Sequence, residues 1–595
     1  MAAVKTRSEL DEALTWDLSL IYKSEEDWEK DFASLDGLLA DFLKCRGKLD
    51  QSARILLEAL EADDRLSLIL ERLYVYAHLK ADEDTGNSAG QTRLERIRAK
   101  ETEISGECSF FQPELLAVEE TRFQEYLNSD ILSFYKRSLQ ELAEERAHTL
   151  SAAEERILSL SADVMSSSEK VFSLLNDADL RFPQITNDAG EKEELTHGNY
   201  IRFLESSVRQ VRKDAFYGCY NTYSSFRNTL SALLDTEVKA HILDAELRKF
   251  PSALEASLFA DKVPLRVYNG LIDSVHNNMD LIHRYYALRA KVLKLDQLDM
   301  YDIYTPLLPE CNAGFSWEES VKEVKDSLKV LGVEYHNAIG QAFTDRWIDV
   351  MECRSKRSGA YSSGCYGMAP YMLLNYSGTL DSMFTLTHEL GHSMHSYFSD
   401  RNQPYHYASY KIFVAEVAST TNELLLMNHL LKKAPDKNMK GYLLNHLADE
   451  FRGTLFRQTM FAEFERDIHD MAGEGTPLTW EVLSDHYKKL NDTYHGDAVK
   501  ADDLIRYEWS RIPHFYYNFY VYKYATGFSA AAALSQMILK GKTDTYMQFL
   551  KSGDSKDVLD IMKDAGVDFL DGDPVGDAMK LFDETLTSLE ECLQN

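Results

Sequence analysis

Two histidines four residues apart, His388 and His392, with Glu389 directly after the first, form the most chemically suggestive group in this chain. In a helix such a pair lies on one face, one ring above the other. Both imidazoles can then reach a single Zn²⁺ at about 2.0–2.1 Å. Glu389 sits about 100° further round the helix. It can flank the ion without binding it and take a proton from an activated water.

A catalytic zinc site takes three protein ligands and keeps one position open. Downstream candidates for the third are His395, Asp400, His406, Glu416 and Glu423. The metzincin pattern is excluded, because it needs a glycine where His395 stands and a histidine where Phe398 stands. His395, one further turn along, reads as a group behind a ligand or facing substrate. Glu416 falls on a second predicted helix after the break at Pro404 and is the expected third ligand. Glu423, seven residues on and nearly on the same face, is the runner-up, or else the partner of a ligand's free ring nitrogen.

These residues need long helices to hold them, and the chain supplies the pattern. Apolar residues recur at three and four over residues 10–175, 200–293 and 317–339, with only 12 prolines in 595 residues to interrupt them. Asp381 is the expected N-cap of the histidine helix, and Met383, Phe384, Leu386, Leu390 and Met394 its apolar side. Residues 180–200 read as two short strands about an Asn187–Gly190 turn. Residues 347–376 read as a small sheet bracketing a Gly/Ser loop. Three regions are therefore expected: a helical lobe over 1–185, a helical region over 186–340 opening with the hairpin, and a zinc-binding region over 341–595.

The formal charge is −32, from 97 acidic and 65 basic residues. That sign opposes binding to nucleic acid or to an anionic membrane. No run of 18 apolar residues suggests a membrane helix, and the charged first 17 residues do not read as a secretory leader. Seven scattered cysteines without a C-x-x-C pair suit a reduced cytoplasm and no thiolate metal site. Gly359 to Gly364 lacks the Lys-Ser/Thr of a phosphate-binding loop, so no nucleotide is expected.

His388-Glu389-Leu390-Gly391-His392, followed by Glu416 and Glu423, resembles the M3 family of zinc oligopeptidases, in particular its oligoendopeptidase F branch. The run from Arg357 to Cys365, the strand from Pro370 to Thr379, the stretch from Ile512 to Gly527 and Trp16-Asp17-Leu18 share that resemblance. The likeness implies that His388, His392 and Glu416 hold one Zn²⁺ per chain and that Glu389 is the general base. It also implies a mainly α fold, two lobes about a deep channel that admits short peptides, with a small β-sheet beside the zinc helix.

The family further uses a histidine and tyrosines from the region 514–524 on the substrate and the developing oxyanion. His514 with Tyr522 is the favoured assignment, with Tyr516, Tyr517, Tyr520 and Tyr524 as competitors. Gly359, Tyr361, Tyr371, His395 and Tyr517 are the expected substrate contacts. Tyr371 to Asn375 is pictured as an edge strand to which a peptide adds. The expected enzyme is a zinc endopeptidase of short peptides, a monomer or weak homo-oligomer. A zinc enzyme trimming free carboxyl ends and a metal-free binding scaffold are the competing readings.

Overall fold

A computed structural model describes residues 5–308 and 314–594. The chain is mainly helical, and the helices begin where the side chains predict. Ser24 and Ser52 accept from the backbone N–H groups of Asp27 and Ile55 and so cap Glu25–Leu43 and Ala53–Glu83. The latter is 31 residues long and contains no proline or glycine. The Asn187 turn joins Gln184–Thr186 to Lys192–Glu194 as an antiparallel hairpin, its side-chain oxygen accepting from the N–H groups of Ala189 and Glu191.

One apolar core extends from Trp16 to Leu589 and so draws on all three regions. A smaller core, between Cys45 and Leu139, packs the N-terminal helices on each other. Among the described residues no helix is long and apolar enough to cross a membrane. The six described cysteines are free, and Cys311 lies outside the described residues.

The small sheet has three strands, and its order corrects an expectation. Tyr371–Tyr376 is central, parallel to Ile348–Met351 on one side and antiparallel to Tyr361–Ser363 on the other. Both of its backbone edges are already paired, so no peptide can add to it. The outer strands are Ile348–Met351 and Tyr361–Ser363, and the latter has the free edge nearer the histidine helix, Ser362 bonding to Ser393. Lys356 secures the sheet from inside: its ammonium is 2.7 Å from the Asp349 carboxylate and donates to the carbonyls of Met351 and Leu374. Tyr361 extends the anchorage, its hydroxyl donating to Asp82 on the 31-residue helix.

The helix carrying the histidines spans Leu380–Asn402, and the helix carrying Glu416 spans Ile412–Lys433. Thr379, not Asp381, is the N-cap of the first, its hydroxyl accepting from the N–H of Ser382 at 3.1 Å. Asp381 instead lies in the first turn, where a negative charge suits the helix dipole. The two helices touch backbone to backbone. A Cβ added at Gly391 would stand 2.4 Å from the Ser419 Cα and 2.7 Å from the Ala418 carbonyl oxygen.

Such overlap cannot be relieved by a side-chain rotation, so a methyl group must separate the helices. Gly391→Ala should cost about 1–3 kcal/mol of stability and should also lower metal content. Denaturant unfolding and metal analysis of the purified variant check both expectations. Unchanged stability would mean that the helices do not approach this closely.

Candidate metal centre and active site

The close helix contact brings three donor atoms together. The Nε2 atoms of His388 and His392 are 3.2 Å apart, and Glu416 Oε2 lies 3.4 Å from the first and 3.6 Å from the second. A tetrahedral ion with bonds of about 2.0–2.1 Å separates its ligands by about 3.4 Å. Among the described residues this is the cluster of His, Cys, Asp or Glu whose donors could hold a metal ion. Two imidazoles and a carboxylate are a donor set suited to Zn²⁺, and the residues fit it.

Each histidine is held from behind. His388 Nδ1 lies 3.2 Å from Glu423, and the His392 ring donates to the Ala415 backbone. Those contacts leave both Nε2 atoms facing the centre. Burial disfavours charge on His388, but the Glu423 bond and the carboxylates of Glu389 and Glu416 outweigh it and lift the ring to about 9. Burial and the His388 charge bring His392 down to about 4. The carboxylates therefore make this a site that attracts positive charge.

Glu389 is not one of the three donors and is 7% exposed. Burial raises its carboxyl to about 7, with the charges of Glu416 and Glu423 adding to the rise and His388 opposing it. The N–H of Ser362, on the free edge strand, donates to it. The edge strand and the general-base candidate are thus neighbours.

A cavity of about 370 Å³ opens beside the donors and is lined by His388, Glu416, Glu423 and Tyr524. The Tyr524 hydroxyl is 3.3 Å from His514 Nε2. The structure places the favoured Tyr522 elsewhere: it is 1% exposed, packed against Tyr268 and Phe413, and its hydroxyl has no partner. The two tyrosines are two residues apart, about 200° round one helix, so when one faces the core the other faces the cavity. That geometric rule was the available sequence signal. Tyr517 is 47% exposed, its ring 5.7 Å from that of His514.

The turn between these groups has an unusual backbone. Asn518 and Phe519 both have positive φ, at 44° and 60°. For a bulky residue such as Phe519 this is a strained conformation of the kind that collects at functional sites. Glu465, fully buried, holds it by accepting from the Phe519 N–H at 2.7 Å, and Ser257 donates to the Asn518 carbonyl. Nothing in the residue types signalled this turn.

Two expected substrate contacts are buried, and a third, Tyr361, is part-buried. Tyr371 is fully buried and its hydroxyl donates to the Asp17 carbonyl. His395 is 1% exposed and stacked on Tyr410, and burial lowers its ring to about 3, which makes it a neutral core histidine. Tyr361 is turned to Asp82. Gly359 keeps open space around it and has φ of +86°, which a side chain would strain. Of the other ligand candidates, His406 pairs with Asp64 at 2.8 Å and Asp400 lines a separate cavity with Glu71.

Because Glu423 touches His388 and not the donor centre, Glu423→Gln should weaken metal binding about 10–100-fold without abolishing it. His388→Ala should abolish it. Metal titration against a competing chelator measures both, and equal losses would make Glu423 a ligand.

The pattern of peptidase family M3 matches residues 202–581, and that of oligopeptidase F matches residues 114–182. The chain is 45% identical to the oligopeptidase PepF of Bacillus subtilis, over 99% of this chain and 88% of that one. It is 41% identical to an oligoendopeptidase F homologue of Lactococcus lactis subsp. lactis, over 99% of both. A solved peptidase structure from Chlamydophila abortus superposes with a TM-score of 0.94 at 37% identity, covering 99% of this chain and 100% of that one. The oligoendopeptidase F structure from Enterococcus faecium gives 0.74 at 39% identity, with 96% and 99% covered. With the His388, His392 and Glu416 cluster at its centre, the chain belongs to peptidase family M3, in the oligopeptidase F group.

Proposed function

We propose that the chain is a zinc endopeptidase that hydrolyses internal bonds of short peptides. One observation carries this reading: the three donors stand 3.2–3.6 Å apart, with a buried carboxylate beside them on the same helix. His388, His392 and Glu416 would hold Zn²⁺, which when bound polarises a carbonyl and acidifies water. Glu389 takes the proton of the attacking water and passes it to the leaving amine. Its low exposure supports that work, because a carboxylate poised near neutrality both accepts and returns a proton.

The Tyr524 hydroxyl, assisted by His514, donates to the oxyanion that develops as water attacks. Tyr517, half-exposed beside His514, contacts the peptide. The free edge of Tyr361–Ser363 takes the peptide backbone as an added strand, which leaves side-chain demands loose. Gly359 lets the loop leading into this strand turn.

Doubly blocked peptides of increasing length, tested with and without chelator beside a folded protein, examine the whole reading. Cutting of short peptides alone, abolished by chelator and restored by zinc, is expected. Cutting that survives full metal removal would overturn the mechanism, and cutting of peptides with a free carboxyl end alone would make the enzyme an exopeptidase.

Glu389→Gln should keep the metal and lose about 10²–10⁴-fold in kcat. Tyr524→Phe should lose about 10²–10³-fold. Tyr522→Phe, which removes a buried hydroxyl that has no partner, should leave kcat within about twofold. The reverse order for the two tyrosines would return the oxyanion role to Tyr522.

A further inference from the structure

The cavity beside the donors lies between four helices. Phe384, Leu424, Met427, Leu447 and Phe528 form its apolar walls. The same cavity is lined by His446 and Glu450, four residues apart on the helix Lys437–Glu450. Three carboxylates line it, those of Glu416, Glu423 and Glu450, and the last touches neither the donors nor their histidines in an ion pair.

Glu450 occupies an uncommon position. It is an exposed side chain on the cavity, yet the protein around it holds its carboxyl above the usual range, with Glu423 adding to the rise and His446 and Arg452 opposing it. Among the described residues no lysine or arginine forms an ion pair with it. Arg452, two residues on, turns to Asp449 at 3.0 Å. A carboxylate that faces a cavity without a paired cation is free to meet a positively charged ligand there.

The backbone gives an independent reason to regard this wall as built for a ligand. The helix passes from α to π geometry over Phe451–Phe456, directly after Glu450. Wide turns of this kind cost hydrogen-bond quality and recur at functional sites. Here the wide turn sets Glu450 and Thr454 on the cavity while Phe451 and Leu455 stay fully buried. Phe451 packs on Phe528, its ring centroid 4.9 Å away, so the wall beneath the carboxylate is rigid.

We propose that this cavity is a specificity pocket for a lysine or arginine side chain flanking the bond to be cut, with Glu450 as its charge partner. The proposal rests on the endopeptidase reading. The apolar walls receive the methylene stem of the side chain, and its cationic head meets Glu450. A volume of about 370 Å³ leaves room for such a side chain together with water.

Doubly blocked peptides differing only at the residues flanking the scissile bond test this, with lysine compared against norleucine of nearly equal length. At one flanking position the lysine peptide should have a kcat/KM about tenfold higher. In Glu450→Gln that ratio should fall to near one, and in Glu450→Lys a glutamate peptide should overtake the lysine peptide. Because each ratio is taken within one protein sample, losses in folding or metal content cancel.

Equal rates for lysine and norleucine in the unaltered enzyme, or a preference that persists in Glu450→Gln, would overturn the proposal. Should no peptide be cut, the endopeptidase reading fails on its own. Binding to Glu389→Gln, read by fluorescence anisotropy, then decides the pocket. Tighter binding of the lysine peptide by at least about fivefold supports it, and equal affinities refute it.

Discussion

The catalytic arrangement depends on two helix backbones passing in direct contact. At Gly391 the histidine helix has no side chain to hold its neighbour off, and Ser419 and Ala418 fill the space a methyl group would occupy. Glu416 lies one turn before that contact point and His388 and His392 lie on either side of it, so the approach sets the spacing of the three donors. Small buried polar residues continue the contact, with Asn422 donating to the Thr387 carbonyl and accepting from the Tyr335 hydroxyl. Close packing of this kind tolerates little displacement, and a metal centre needs that rigidity.

Charge is distributed around the centre in a way that follows from burial. Glu416, Glu423 and Glu389 converge on two imidazoles, and each is oriented differently: one toward the donor centre, one toward a ring nitrogen, one toward the Ser362 N–H. Three carboxylates held this closely repel each other in a poorly hydrated site, and a bound cation offsets that repulsion. The same logic extends to Glu450, whose cavity is electronegative and apolar together. The overall acidity of the chain is a separate matter, since most of its carboxylates lie on the surface.

Around this centre the scaffold fixes two features that local structure alone would not hold. The edge strand Tyr361–Ser363 is tied through Asp82 to the 31-residue N-terminal helix, so residues far apart in sequence keep the strand next to Glu389. The strained turn at Asn518 and Phe519 is held by Glu465 and Ser257, and it separates His514 and Tyr517 from the helix that carries Tyr524. Regions distant from the donors thereby fix the surroundings of Glu389 and of His514.

The His388, Glu389 and His392 spacing was legible because a helix repeats every 3.6 residues, so local order in sequence becomes order on a face. The same periodicity made the helical body and the facing Glu416 helix readable, and the Asn187–Gly190 turn residues did so for the hairpin. Periodicity does not say which neighbour covers a face, and there the residues alone failed. Tyr371 sits in a central strand because pairing order is set by long-range hydrogen bonds, and His395 faces Tyr410 because the loop leading into the Glu416 helix folds over it. The exposure of Tyr524 to the cavity and the burial of Tyr522, the place of Glu423 behind His388 and the position of Glu450 on the cavity likewise arise from packing between elements distant in the chain. The sequence by itself determined which chemistry was available, and the tertiary structure decided which residues meet, because contact depends on which faces of different elements are buried together.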